Sequence, residues 1–435
     1  MSKSTEELKK KVRHASPWRK PWPYLVIIVV LALVAVAALQ IPAINVQARN
    51  LYSRIYYRLN PPTENTFGPS QQGTISADVL ATLTAMAPTA TPEPTATDSQ
   101  PTSEATEMPT STPIPIPASF ALEGMGLEYQ TMNNCGPANL SMDVTYWGWS
   151  TNQHITEDAL KTHKDDRNVM LGEMLNFVEA NTGLKGQLRY GGDMEMVKRL
   201  LSAGFPVLLE RGHTDEEDGW MGHYSIVTAY DDSTQTVQIP DTLLGMMSMT
   251  YADLERDWWH FDGIYLVIYP AEKVQEVFAL LGEDADPAQN LQNTLTKAEA
   301  RIQQVSGQDL FFALYSKGSI LVEMGDYLNA AQSYDQAFAI YNGLDYGLRP
   351  WRITWYQVGP YLAYYYSGRY QDAFNLAEQT INNSSFPSLP ETWYWGGQSA
   401  LMLGDKAEAA RYFRKALEFY PGWDQATQGL AQAES

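Results

Sequence analysis

One thiol stands alone in this chain of 435 residues: Cys135, in Asn133-Asn134-Cys135-Gly136-Pro137-Ala138. A single cysteine cannot close an internal disulfide or build a multi-cysteine zinc site, so few structural uses are open to it. A run that reads as a helix follows, with Ala138, Leu140, Val144 and Trp147. Proline suits a first helical turn, where its missing N–H costs nothing. Cys135 is therefore expected at a helix N-terminus, where the macrodipole and free N–H groups favour thiolate over thiol. A buried core cysteine is the alternative.

A nucleophilic cysteine needs a base, and the base needs a third group to orient it. Six histidines are present. His14 precedes a long apolar run, His154 and His163 fall in a polar segment, and His260 follows Trp258-Trp259. His213 lies in an acidic stretch, His213-Thr214-Asp215-Glu216-Glu217-Asp218, that reads as a solvated loop. His223 opens a predicted strand within Gly222-His223-Tyr224-Ser225-Ile226-Val227 and is the preferred base, because a strand end can present it across a cleft. Asp241 is expected as the orienting acid. It ends Val237-Gln238-Ile239-Pro240, and a hairpin would set the two strand ends side by side, whereas Asp231 and Asp232 read as turn residues. Gln130, five positions before Cys135, is the candidate oxyanion donor beside the Cys135 backbone N–H. A strand histidine and a loop glutamine also have purely structural readings.

The elements that must hold these groups alternate in kind. Residues 168–180 and 194–203 carry apolar positions at helical spacing, the second ending at Gly204. Strands are predicted over 205–209, 223–230 and 235–239, the last two separated by the turn Asp231-Asp232-Ser233. A short helix over 251–259 and a closing strand over 263–269 complete an α+β pattern.

Taken together, Gln130, Asn134-Cys135-Gly136-Pro137-Ala138, Gly222-His223-Tyr224 and Pro240-Asp241 resemble the double-glycine-leader (bacteriocin-processing) peptidase family and its stand-alone secreted relatives, which are papain-fold cysteine peptidases. The resemblance runs over about residues 120–270 and takes in the bridge Leu200-Leu201-Ser202-Ala203-Gly204-Phe205-Pro206-Val207. It implies Cys135 as nucleophile, His223 as base, Asp241 as orienter and Gln130 as oxyanion donor. Two departures stand out: Gln130 is one position closer to the cysteine than is common, and Pro240-Asp241 reverses the more usual Asp-Pro order. The exporter to which the best-known members are fused is missing, so the resemblance carries chemistry and no substrate.

The formal charge is −20 and uneven: residues 1–60 hold ten Lys/Arg against Glu6 and Glu7, leaving 20 Lys/Arg against 48 Asp/Glu elsewhere. Such a body repels phosphates, so nucleic acid is not an expected partner. No nucleotide-binding glycine loop is present, and no cofactor or metal is expected. Residues 24–46, YLVIIVVLALVAVAALQIPAINV, hold no charge and are long enough to cross the roughly 30 Å hydrocarbon core. Seven Lys/Arg precede this run and three follow closely, so the N-terminus (1–23) is expected in the cytoplasm and the body outside. An uncleaved signal anchor is preferred over a cleaved signal peptide, since Leu39-Gln40-Ile41 is no small-residue cleavage site. Residues 47–118 are expected to be a membrane-proximal segment and a disordered Pro/Thr/Ser-rich linker, as in Thr89-Ala90-Thr91-Pro92-Glu93-Pro94-Thr95.

From residue 290 to 435 the chain reads as helical repeats. Gly325-Asp326-Tyr327, Gly368-Arg369-Tyr370 and Gly404-Asp405-Lys406 open similar pieces, and Trp393, Gly397, Ala409, Phe413, Ala416 and Pro421 fit the tetratricopeptide spacing. Three helical pairs are expected behind a packing helix over 290–305. Tyr361, Tyr364, Tyr365, Tyr366, Trp393, Tyr394 and Trp395 are mostly expected in its core. The expected whole is a single-pass protein of the cell membrane with an extracytoplasmic papain-like cysteine peptidase domain over 119–272. Its substrate would be a peptide or protein, and its repeats would recruit a protein partner. Two alternatives stay open: a catalytically silent domain in a surface adaptor, and an acyltransferase using the same triad.

Overall fold

The computed structural model describes residues 25–31, 42–65, 67–69, 116–215 and 218–435. They divide into two units, residues 1–60 and 61–435. In the first unit residues 25–31 are helical and a second helix, α1, covers Pro42–Leu59. Residue 24 and residues 32–41 of the expected span over 24–46 lie outside the described residues. Among the described residues no helix is long and apolar enough to cross a membrane; α1 carries Arg49, Arg54 and Arg58.

The second unit begins its first domain with strand β1 (Ser119–Ala121) and the helices α2 (Cys135–Tyr146), α3 (Gln153–Leu160) and α4 (Leu171–Asn181). Next come β2 (Leu184–Arg189) and α5 (Met194–Ser202). Helix α5 is capped by Asp193, which accepts from the Met196 N–H, and it buries Met194, Met196, Val197, Leu200 and Leu201 on one face. The strands β3 (Val207–Asp215), β4 (Gly219–Val227), β5 (Ala229–Asp231), β6 (Thr236–Asp241) and β7 (Gly245–Thr250) follow, then α6 (Tyr251–Trp258) and β8 (Tyr265–Pro270). They form two antiparallel sheets, ordered β1-β5-β6-β7 and β2-β8-β3-β4. One apolar core lies among α5, α6 and both sheets, and another packs α2 and α4 on β3, β4 and β8.

The strands correct the sequence reading at three points. β3 and β4 make one long hairpin, so His213 sits on a strand opposite Met221, half-buried, and not in a solvated loop. His223 lies mid-strand, opposite Arg211, and does not open its strand. His223 and Asp241 also come from different sheets: the chain bends at Thr228, whose N–H donates to Gln238 O at 3.0 Å, and passes from β4 into β5, which pairs with β6. The pattern missed β2 and β7, both edge strands, where one paired side and one buried face leave a weak apolar signal.

After α7 (Val274–Leu281), helix α8 (Pro287–Ile302) leads the repeats. Three pairs follow: α9 (Gly307–Glu323) with α10 (Tyr327–Gly343), α12 (Gly359–Tyr366) with α13 (Tyr370–Asn382), and α14 (Pro390–Met402) with α15 (Lys406–Phe419). A four-residue helix, α11 (Ile353–Tyr356), lengthens the connection before the middle pair, and α16 (Asp424–Glu434) ends the array. Small residues let the helices cross closely: a Cβ on Gly397 would stand 3.0 Å from the Phe413 ring. Tyr361, Tyr364 and Trp393 are buried as expected, while Tyr366 is exposed.

The repeats pack on the first domain. The His260 ring stacks on Phe312 with centroids 3.7 Å apart, Gln357 Nε2 donates to His260 O at 2.7 Å, and Ser388 Oγ donates to Asp165 O at 2.6 Å. The expected linker is also corrected in part. Residues 47–59 belong to α1, and Pro62–Glu64 and residues 67–69 fold onto the repeats, because Phe67 supplies an apolar side chain to bury. Residues 70–115 lie outside the described residues.

Candidate active site

Cys135 opens α2 and is half-buried. The loop before it turns through Asn133, in the left-handed region at φ 52°, where Asn is tolerated better than most residues. Gln153, at the start of α3, grips that loop: its Oε1 accepts from the Thr131 N–H at 2.7 Å and from Asn134 Nδ2 at 2.9 Å, and its Nε2 donates to Tyr129 O at 2.7 Å. Behind the thiol, Asn139 Nδ2 donates to Cys135 O at 2.9 Å and to Tyr224 O at 3.1 Å, which ties α2 to β4 beside His223.

The His223 ring is buried and forms a hydrogen bond with the Cys135 thiol. Its Nε2 lies 3.0 Å from Asp241 Oδ2, which leaves Nδ1 for the sulfur. The residue before it must be glycine: a Cβ on Gly222 would stand 2.7 Å from Phe261 Cζ and 2.9 Å from Tyr356 Cδ1. Asp241 is fully buried at the end of β6. Its Oδ1 accepts from the Leu243 and Leu244 N–H groups, each at 2.9 Å. Its Oδ2 also accepts from Arg211 Nη2 at 3.1 Å, and Arg211 Nε donates to Ser225 Oγ at 2.9 Å.

These contacts set the charges. Burial pushes the Cys135 thiol up, but the hydrogen bond and positive charge of His223 and a backbone hydrogen bond from Tyr224 outweigh it, and the net shift is downward. Burial pulls His223 down, and its hydrogen bonds to Asp241 and Cys135 overcome that and push it up to about 9. Burial raises Asp241, yet its bonds to His223 and to two backbone N–H groups hold it well below the usual carboxylate range. The shifts run in the directions that favour a thiolate, an imidazolium and a carboxylate. Nearby, Glu210 is buried, and burial pushes its pKa well above the usual range. The Tyr224 hydroxyl donates to Val169 O at 2.7 Å and lies 3.0 Å from Glu210 Oε2. One hydroxyl hydrogen cannot serve both oxygens, so a proton on Glu210, which its burial favours, would complete the set.

Of the four residues singled out from sequence, Cys135, His223 and Asp241 converge. Gln130 is drawn to the acid's turn: its N–H donates to Thr242 O at 2.8 Å, and its Oε1 accepts from Thr242 Oγ1 at 2.7 Å. Sequence reasoning missed Arg211, Gln153, Asn139 and Tyr356. Arg211 had a signal, since a charge inside the apolar run Val207-Leu208-Leu209-Glu210-Arg211 calls for a buried partner. Tyr356 had none. It comes from α11 in the repeat half and packs against Phe261 and Trp220, with ring centroids 5.9 Å apart in each case. Among the described residues no group of His, Cys, Asp and Glu is placed to hold a metal ion.

Known proteins were compared with this arrangement. Residues 122–266 match the model of the Peptidase_C39 like family, and residues 390–423 match a tetratricopeptide repeat. A structure described as a C39-like peptidase from Bacillus anthracis is 16% identical, covers 34% of this chain and 96% of its own, and has a TM-score of 0.30. The peptidase domain of Streptococcus ComA, a bifunctional ABC transporter, is 14% identical over 34% of this chain and 99% of its own, at a TM-score of 0.28. A double-glycine-motif protease from an AMS/PCAT transporter, solved with a leader peptide, is 17% identical over 35% and 99%, at 0.26. No curated protein sequence matches the chain. The first domain of the second unit thus resembles the C39 peptidases, and a tetratricopeptide repeat follows it.

Proposed function

We propose that this protein is a cysteine peptidase, a thiol hydrolase acting on peptide bonds through Cys135, His223 and Asp241. Its catalytic domain spans residues 119–272, and a repeat domain over 290–435 takes up protein or peptide partners. The observation that carries the reading is the convergence of Cys135 at the start of α2, His223 on β4 and Asp241 at the end of β6, with His223 Nε2 3.0 Å from Asp241 Oδ2 and the imidazole acting to lower the thiol. A silent scaffold has no need of that charge arrangement.

In the proposed reaction Cys135 Sγ attacks the carbonyl carbon, and the C=O electron pair moves onto oxygen. The Cys135 backbone N–H and Gln130 Nε2 are the donors for that oxygen. Collapse breaks the C–N bond, and the imidazolium passes its Nδ1 proton to the leaving amine. Neutral His223 then takes a proton from water as it attacks the thioester, the C–S bond breaks, and thiolate and imidazolium are restored. An amine in place of water would make the same residues an acyltransferase.

Residues 24–46 anchor the chain in the cell membrane, with the N-terminus in the cytoplasm and the catalytic and repeat domains outside. The uncharged run and the excess of Lys/Arg before it support this. The test of the whole reading labels the full chain in detergent with a thiol-reactive electrophile and then incubates it with a peptide library. Wild type labels faster than a free thiol and cleaves peptides, His223→Ala loses both properties, and Cys135→Ala loses all labelling. Labelling at the rate of a free thiol, unchanged in His223→Ala, would sink the enzyme reading.

A further inference from the structure

The residues between α1 and residue 70 make a set of contacts that composition did not foretell. Residues 61–65 and 67–69 lie along a seam between α10 and α13, the second helices of the first two repeat pairs. Asn342 holds Phe67 by its backbone from both sides: Oδ1 accepts the Phe67 N–H at 3.0 Å and Nδ2 donates to Phe67 O at 3.1 Å. Gln379 does the same for Gly68, at 3.0 Å from its N–H and 3.3 Å to its O. Arg349 Nη1 donates to Thr63 O at 2.8 Å and to Asn65 O at 3.3 Å, and Asn65 Nδ2 donates to Asn383 Oδ1 at 2.8 Å.

Two side-chain positions in the segment are selected. The Phe67 ring is 1% exposed, with its centroid 5.5 Å from those of both Phe338 and Tyr341. Gly68 has φ +113°, and a Cβ there would stand 2.5 Å from Phe338 Cβ, so no other residue fits. The carboxamides take up the backbone groups of Phe67 and Gly68, while the aromatic pocket and the glycine choose the sequence.

We propose that this seam is a peptide-docking site whose resident ligand is the chain's own segment, residues 63–65 and 67–69. The repeats' first partner is therefore internal. The docking is independent of the peptidase reading.

The test inserts a site for a sequence-specific protease after Thr89 in the full chain, cleaves it in detergent and follows both fragments by gel filtration. The N-terminal fragment is expected to travel with the body. Excess synthetic peptide of residues 61–69 displaces it, and the same peptide carrying Phe67→Ala does not. In chains carrying Phe67→Ala or Gly68→Ala the fragments separate, with binding weakened on the order of 10- to 100-fold. Both substitutions lie in the docked segment, outside the peptidase domain and the repeat helices, and Cys135 labelling is expected to stay at the wild-type rate. Separation of the wild-type fragments as readily as those of Phe67→Ala would overturn the proposal, as would equal displacement by the two peptides.

Discussion

Replacing Asp241 with Asn keeps the side chain's shape, removes its charge and leaves the new amide with no satisfactory orientation. Four donors face the carboxylate: His223 Nε2 and Arg211 Nη2 at Oδ2, and the Leu243 and Leu244 N–H groups at Oδ1. An amide offers one oxygen and one NH₂, so its NH₂ must face N–H donors whichever way it turns. Arg211, 2% exposed, also loses its counter-ion. Leaving a buried cation unpaired costs about 3–5 kcal/mol. The bond to Asp241 is also a main cause of the rise of His223 to about 9, so Asp241→Asn lowers the imidazole and weakens its hold on the thiolate. Loss of the orienting acid is expected to reduce kcat/KM by about 10²–10⁴-fold. Because Cys135 is the only cysteine, the pH dependence of alkylation reports this one thiol without interference. Its midpoint should move up in Asp241→Asn, toward the roughly 8.5 of a free thiol. Chemical denaturation should show the stability loss, and the double variant Asp241→Asn/Arg211→Met should recover part of it. An Asp241→Asn chain with unchanged alkylation midpoint, and stability within about 1 kcal/mol of wild type, would refute the account.

Peptide hydrolysis should follow a bell in pH, rising as the thiolate–imidazolium pair forms and falling as the pair loses its proton near pH 9; a profile flat from pH 6 to 10 would contradict the pairing. The raised His223 also links pH to stability: its contribution is fully present below about 6.5 and is lost as the pH rises through about 9, which unfolding measured across that window will show. Gly222→Ala should destabilise the fold by about 1–3 kcal/mol and slow Cys135 alkylation, because its Cβ drives against Phe261 and Tyr356 next to His223.

The residues legible in the sequence were those whose signals are local. The Gly136-Pro137 helix start announced Cys135, the Asp231-Asp232-Ser233 turn announced the hairpin that carries Asp241, and the repeat spacing around Trp393 and Phe413 announced the array. Apolar periodicity placed α4, α5 and α6 within a few residues. It failed where an element depends on a partner far along the chain. The strand of His223 extends back to Gly219 because β3 pairs with it, and His213 joins a strand for the same reason. β2 and β7 exist through one neighbour each.

By itself the sequence determined that one thiol, a histidine and an aspartate would be offered by a helix start and two strands, ahead of a helical array. Type, period and turn chemistry act over a few residues and need no fold. Only the tertiary structure decided that Arg211 shares Asp241, that Gln153 holds the loop before Cys135, that Tyr356 of the repeats backs Gly222, and that Phe67 leaves the linker for a seam in the repeats. Each is a contact between distant positions. It depends on register and on what is left to fill a buried space, and neither is written in the neighbouring residues.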